Sequence, residues 1–362
     1  MSRTLRYDRQ LAVVVLALMA AGLVMIYNAS AVVALKHKGD PMYFFTHQAV
    51  WMVVGIAVLL VGLRIPYTWW KDRRVVLTLL SAEFLLLVVA LFMPAINGSH
   101  RWIRLWKMTL QPSESAKLVL VIFAAYLLER KQREGRDWVQ TLVPLAAVGG
   151  LASVLILLQP DLGTVVILWL ILGSLLFVTG LPWKWIAPAV AGGFAVFLLL
   201  IVAAPYRFQR VFVFLNPGSD PQGKGFQAQQ SLIAVGSGGL FGKWFDGSSQ
   251  KLMFLPEPHT DFIYAMVGET FGLLGCTALL GLFLWLGYRG LRAVKGAPDE
   301  FGALLAVGLT TWILGQALIH ILVTLCMVPT KGLPLPLFSY GGSNLVVTLS
   351  GLGILLNVSQ HE

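Results

Sequence analysis

Charge is what this chain has least of. Asp, Glu, Lys and Arg make up 12% of its 362 residues, against 57% hydrophobic. An ordinary soluble domain carries roughly 25% charged residues. Half that complement cannot cover a water-facing surface, which excludes a soluble fold. Cysteine is nearly absent as well. Cys276 and Cys326 are the only two, and both lie in apolar segments. A disulfide framework or thiolate metal site is excluded, and both read as small buried hydrophobes. Acidic residues are outnumbered, 17 against 27 basic ones, for a formal net charge of +10. In a soluble protein that balance would suggest nucleic-acid binding. Here much of the basic charge sits in short loops between apolar segments, where it sets topology, and no nucleic-acid partner is expected.

What the chain has instead is a series of apolar runs near 20 residues, the length that crosses a hydrocarbon core of about 30 Å. Ten candidate spans follow: 11–34, 44–64, 75–95, 113–129, 138–158, 161–180, 183–204, 261–288, 301–328 and 340–358. The run after Arg3, Arg6 and Arg9 is too long for a signal peptide and lacks a cleavage signature, so it reads as a retained first helix. With the N-terminus in the cytoplasm, that side collects 15 of the 27 Lys and Arg residues. The bias sharpens when only short loops are counted, because long loops are weak topology signals. The expected fold is all-α and polytopic: one membrane domain over 1–362, about ten transmembrane helices, one long external loop at 205–260, and both termini cytoplasmic.

Two loops depart from this pattern. Residues 96–112 place Arg101, Arg104 and Lys107 outside, against the topology rule, which suggests an anionic ligand. The loop 205–260 is rich in Gly, Gln, Ser and Pro and carries Arg207, Arg210, Lys224, Lys243 and Lys251. Its apolar stretch Leu232–Val235 and its aromatics Phe226, Phe241, Trp244 and Phe245 favour a structure lying on or dipping into the membrane interface. The Gly-rich stretch 236–242 would let backbone approach a sugar or phosphate closely.

Ionisable groups in or near spans are costly and mark function. Glu114 and Lys117, three apart, share a helix face and can pair. Glu83 lies inside the third span and needs a partner or a proton. Asp161 reads best as a helix cap. Glu269 would lie on roughly the same side of its helix as Asp261. Asp261 itself falls where the long polar loop meets a span, after Leu255-Pro256-Glu257-Pro258-His259-Thr260. A partly desolvated carboxylate there can serve as a general base, as an oxygen ligand for a divalent cation, or as ordinary helix-start punctuation.

Leu255–Phe262 with Val267-Gly268-Glu269 resembles the most distinctive motif of the SEDS family (shape, elongation, division and sporulation). Asn97–Ile103, Gln111–Lys117, Gln159–Thr164 and Pro334–Ser343 resemble four further family motifs, in family order, across nearly the whole chain. Asn344 departs from the pattern, where a second Ser is usual. The wording of 214–217, 220–223, 236–242 and 329–333 is closer to the division-type FtsW branch than to the elongation-type RodA branch. The resemblance implies a peptidoglycan glycosyltransferase of the bacterial plasma membrane that polymerises lipid II, releases polyprenyl pyrophosphate, and works with a class B penicillin-binding protein and other divisome proteins. It implies that Asp261 is the essential carboxylate, as base or as ligand of a divalent cation such as Mg or Mn, with no nucleotide needed. Arg101, Trp102, Glu114 and Lys117 match functionally sensitive positions, and His259 and Ser339 lie in matching motifs. Arg101, Arg207, Arg210 and Lys243 are candidates to meet the pyrophosphate. A flippase for the same lipid is the rival class. A transporter concentrates charge near the midplane, whereas Asp261 and the basic candidates are expected at the outer edge. A division scaffold would leave Asp261 unexplained.

Overall fold

The computed structural model describes residues 7–361, except 97, 106–107, 136, 203, 205–207, 210, 213, 215–223, 245–257 and 330–331. Among the described residues there are eleven α-helices: α1 Arg9–Lys38, α2 Tyr43–Arg64, α3 Arg73–Leu91, α4 Pro112–Glu134, α5 Trp138–Leu158, α6 Leu162–Val178, α7 Trp183–Val202, α8 Lys224–Ser237, α9 Ile263–Gly296, α10 Glu300–Thr324 and α11 Gly342–Val358. Every expected span is present as a helix. Seven of them, α1, α2, α3, α5, α7, α9 and α10, are long and apolar enough to cross a membrane, and α6 and α11 are shorter apolar helices. The remaining one, α4, is long but has Glu114 in its first turn and Lys131 and Arg133 in its last.

The ends follow local chemistry. Asp8 caps α1 by accepting from the amides of Gln10 and Leu11, and Gly39 at φ 73° closes it. Asp161 caps α6 by accepting from the amide of Thr164, as expected for an Asp at that place. The end of α9 lies beyond the expected 288. Arg289, buried there, donates from Nε to Asp8 Oδ2 at 2.6 Å, so the helix continues past its apolar run to reach a partner on α1. The amide of Asp8 also donates to Ser359 Oγ at 3.3 Å. The first and last described segments thus meet on one face of the bundle, together with the Lys71–Glu129 ion pair at 2.8 Å.

The opposite face carries the α1–α2 turn, the α3–α4 and α5–α6 junctions, and the described parts of the stretch between α7 and α9 and of the α10–α11 loop. The α3–α4 junction is the one departure from all-α structure among the described residues. There β1 (Ile103–Leu105) pairs antiparallel with β2 (Met108–Leu110), with Ile103 opposite Leu110. Ser343 Oγ accepts from the amide of Gln111 at 3.1 Å and donates to the carbonyl of Thr109 at 2.9 Å, tying the hairpin to the start of α11.

Between α7 and α9 the chain goes beyond an interfacial loop. Helix α8 packs on α9, and its buried Ser231 donates from Oγ to the carbonyl of Thr324 at 2.7 Å. The Gly-rich stretch after α8 then enters a break in α9, where Gly272 has φ 64°. The amides of Lys243 and Trp244 donate to the carbonyls of Glu269 and Thr270, each at 2.9 Å, and the amide of Leu273 donates to the carbonyl of Gly239 at 2.9 Å. A broken helix in an apolar setting must have its freed backbone groups satisfied by protein, and this insert supplies the partners. A Cβ at Gly238 or Gly242 would overlap the carbonyl of Gly268 or Thr270. The glycines therefore admit the α9 backbone, where a sugar or phosphate had been expected.

Candidate functional site

Asp261 sits in the turn that leads into α9, on the same face as the hairpin. Three interactions hold this turn. The amide of Tyr340 donates to the carbonyl of His259 at 2.9 Å. Ser339 Oγ donates to the carbonyl of Thr260 at 2.8 Å and accepts from the amide of Leu335 at 2.8 Å. The His259 ring lies 4.3 Å from that of Phe44 and 5.5 Å from that of Tyr340, centroid to centroid. Burial pushes the His259 imidazole down to about 4, so it is neutral at physiological pH. Asp261 stays half-buried. Gly332, in the α10–α11 loop, faces it, and a Cβ there would stand 3.0 Å from Asp261 Oδ2. A glycine at this point puts no side chain against that oxygen.

The second cluster lies within the bundle. Lys117, fully enclosed, donates to Glu114 Oε2 and to Gln316 Oε1, each at 2.7 Å. Its ammonium also sits 5.2 Å from the centre of the Trp312 ring. Asn344 Nδ2 donates to Glu114 Oε2 at 2.6 Å, and Trp312 Nε1 donates to Gln316 Oε1 at 3.0 Å. Gln316 Nε2 donates to the carbonyl of Pro334 at 2.8 Å. Every partner of the ion pair is thus a polar group on another helix, which offsets the cost of burying two charges.

The other expected site residues are dispersed. Arg101 donates from Nε to the carbonyl of Gln159 at 2.6 Å and from Nη2 to the carbonyl of Pro160. Those carbonyls lie at the C-terminal end of α5 and just past it, where the helix dipole favours a cation. Its guanidinium, expected at an anionic ligand, is turned into the α5–α6 junction. Trp102 and Lys243 are half-buried, and Arg104 is exposed. Glu83 is buried in α3. Arg207, Arg210, Glu257 and Lys107 lie outside the described residues. Glu114, Lys117, His259 and Ser339 are enclosed by protein in this conformation, so their polar atoms hold the site's frame. Among the described residues no three His, Cys, Asp or Glu side chains come together. A divalent cation bound at Asp261 would find no second carboxylate grouped with it in a cluster of three among the described residues and would draw oxygen ligands from water and substrate.

Three further residues belong to this site: Gln316, His320 and Asn344. Gln316 and His320 lie four apart in an otherwise apolar run, a spacing that puts both on one helix face.

Residues 8–362 match the family model for FtsW, RodA and SpoVE, described as cell cycle proteins. A probable peptidoglycan glycosyltransferase FtsW of Geobacter metallireducens is 38% identical over 358 residues, covering 98% of this chain and 95% of that protein. Another, of Thioalkalivibrio sulfidiphilus, is 41% identical over 364 residues, covering 98% and 90%. Stage V sporulation protein E of Bacillus subtilis is 38% identical over 359 residues, covering 98% and 97%. Among solved structures, a chain from work on the structural coordination of polymerization and crosslinking by a peptidoglycan synthase complex superposes with a TM-score of 0.79 at 32% identity, covering 98% of each chain. The Thermus thermophilus rod shape determining protein RodA superposes at 0.73 with 29% identity, covering 99% of this chain and 98% of that one.

Proposed function

Because the chain belongs to the FtsW, RodA and SpoVE family of multi-pass membrane proteins, we propose that it is a peptidoglycan glycosyltransferase that polymerises lipid II at the outer face of the plasma membrane, in cell division. Relatives named as FtsW glycosyltransferases match nearly its full length, which supports the activity and the division role together.

In the reaction, the sugar 4-hydroxyl of an acceptor attacks the anomeric carbon of a donor whose leaving group is a polyprenyl pyrophosphate. The new C1–O4 bond forms as the bond from C1 to the pyrophosphate oxygen breaks, and the hydroxyl proton must leave. Asp261 takes that proton as general base. The observation that carries this assignment is its setting: a half-buried carboxylate in a turn whose backbone is held by Ser339 and Tyr340, with Gly332 placing no side chain against it. A divalent cation bound there would stabilise charge on the departing pyrophosphate. Arg207, Arg210 and Lys243 are the basic candidates for the same charge. Arg101 acts through the α5–α6 junction it holds. No nucleotide is required, because the donor bond is already activated.

The chain works with a class B penicillin-binding transpeptidase. Similarity to a chain of a peptidoglycan synthase complex supports that pairing. The face that gathers Asp8, Ser359 and Arg289 is cytoplasmic. The test is a lipid II polymerisation assay on the purified chain with its transpeptidase. Glycan strands are expected. Movement of lipid II across a vesicle bilayer with no strand formed, whichever partner is added, would favour the flippase instead.

A further inference from the structure

Helix α10 presents two polar side chains one turn apart to the loop that faces Asp261. Gln316 Nε2 donates to the carbonyl of Pro334 at 2.8 Å. His320 Nδ1 lies 2.7 Å from the carbonyl of Leu333. A carbonyl can only accept, so Nδ1 carries the proton. The two carbonyls are consecutive, and the next residue back is Gly332, against the Asp261 carboxylate. The same loop continues into Leu335 and Ser339, whose bonds reach the Asp261 turn. Gln316 also looks the other way, because its Oε1 accepts from Lys117 and Trp312.

We propose that Gln316 and His320 form a two-point clamp on the Leu333 and Pro334 carbonyls, and that they are positioning residues for the glycosyl transfer. The clamp fixes Gly332, and through it the space beside the Asp261 carboxylate where the attacking hydroxyl must enter. It also makes the buried Glu114–Lys117 pair part of the same rigid unit, with Gln316 as the shared group. This inference rests on the reading of Asp261 as the general base.

His320 gives the cleaner test, because Gln316 also satisfies a buried cation. Asn is the matched replacement. Its Nδ2 stands at the same bond separation from Cβ as the imidazole Nδ1, so His320→Asn retains the donor. His320→Leu keeps bulk and removes it. His320→Ala is run as a second non-donor, so that poor folding of one variant still leaves a comparison. Each is purified full length with its transpeptidase and assayed for lipid II polymerisation, and deuterium uptake is followed over 332–341. A displacement of about 1 Å at a positioned group costs on the order of 10²-fold in rate. The non-donor variants should therefore lose roughly 10- to 100-fold in kcat with KM nearly unchanged, and their 332–341 amides should exchange faster. His320→Asn should stay close to wild type in both readouts. A non-donor variant with wild-type kcat, or an Asn variant as slow as the Leu variant, would overturn the clamp. Asp261→Asn is assayed in parallel. If it polymerises normally the base assignment has failed, while the exchange data still report separately whether the clamp holds the loop.

Discussion

At the scale of single residues, the enclosed polar groups divide into those that carry charge and those that must not. Lys117 and Glu114 carry it, each with the other as its counter-charge. Lys117→Met leaves the Glu114 carboxylate buried with only Asn344 to bond, and breaking such a pair costs about 3–5 kcal/mol. Thermal unfolding in detergent should show a large loss for Lys117→Met and for Glu114→Gln. The double variant should regain part of it, because the second change removes the stranded charge. His259 is the opposite case. Its folded value of about 4 lies below the ordinary 6.5, so the unfolded chain binds the extra proton. Stability from this group is complete above pH 6.5 and is lost as pH falls towards 4. Melting temperature should drop over that window in the wild type, and the drop should be shallower in His259→Phe, which keeps the ring contact with Phe44 and cannot be protonated.

At the scale of elements, the joint between the 238–244 insert and the broken α9 explains why glycine recurs where it does. Gly272 adopts a left-handed φ, and a Cβ on it would press on Gly242 and Leu240. Gly272→Ala and Gly242→Ala should lower melting temperature and polymerase activity together. Gly281→Ala should change neither, since a Cβ there meets nothing within 4 Å. Little of this joint was legible from the sequence, because a Gly-rich loop does not announce which backbone it admits. The helices were legible, since apolar run length fixes them, and so were the Asp161 cap and the placement of Asp261 at a loop–helix junction, which are local punctuation. The direction of Arg101 was not, because its partners just past α5 lie 58 and 59 positions away. The departure at Asn344 gains a meaning only in the fold, where α4 places Glu114 beside it. Gln316 and His320 did leave a signal, two polar residues a turn apart in an apolar span, although their acceptors belong to a different segment.

At the scale of the whole molecule, the two faces of the bundle divide the work. One face joins Asp8, Ser359 and Arg289; the other gathers the hairpin, the Asp261 turn and the loop that faces it. On the basic bias of the short loops, the first face is proposed to be cytoplasmic. A cysteine placed at Ser248 should therefore react with an impermeant reagent in intact cells, and reaction only after permeabilisation would invert the orientation. An outer-face site suits a precursor already carried across the membrane, and it separates the polymerase from a flippase, whose charged site belongs near the midplane. The most direct test of the account is strand synthesis from lipid II by the purified Asp261→Asn variant with its transpeptidase. Asn keeps the size of Asp and caps a helix about as well, while it removes the basicity, and losing a general base typically costs about 10²–10⁴ in rate. The account predicts that synthesis falls by at least that factor while melting temperature and partner binding persist. Synthesis at near the wild-type rate would contradict it and would shift the search for the catalytic carboxylate to Glu114 and Glu269.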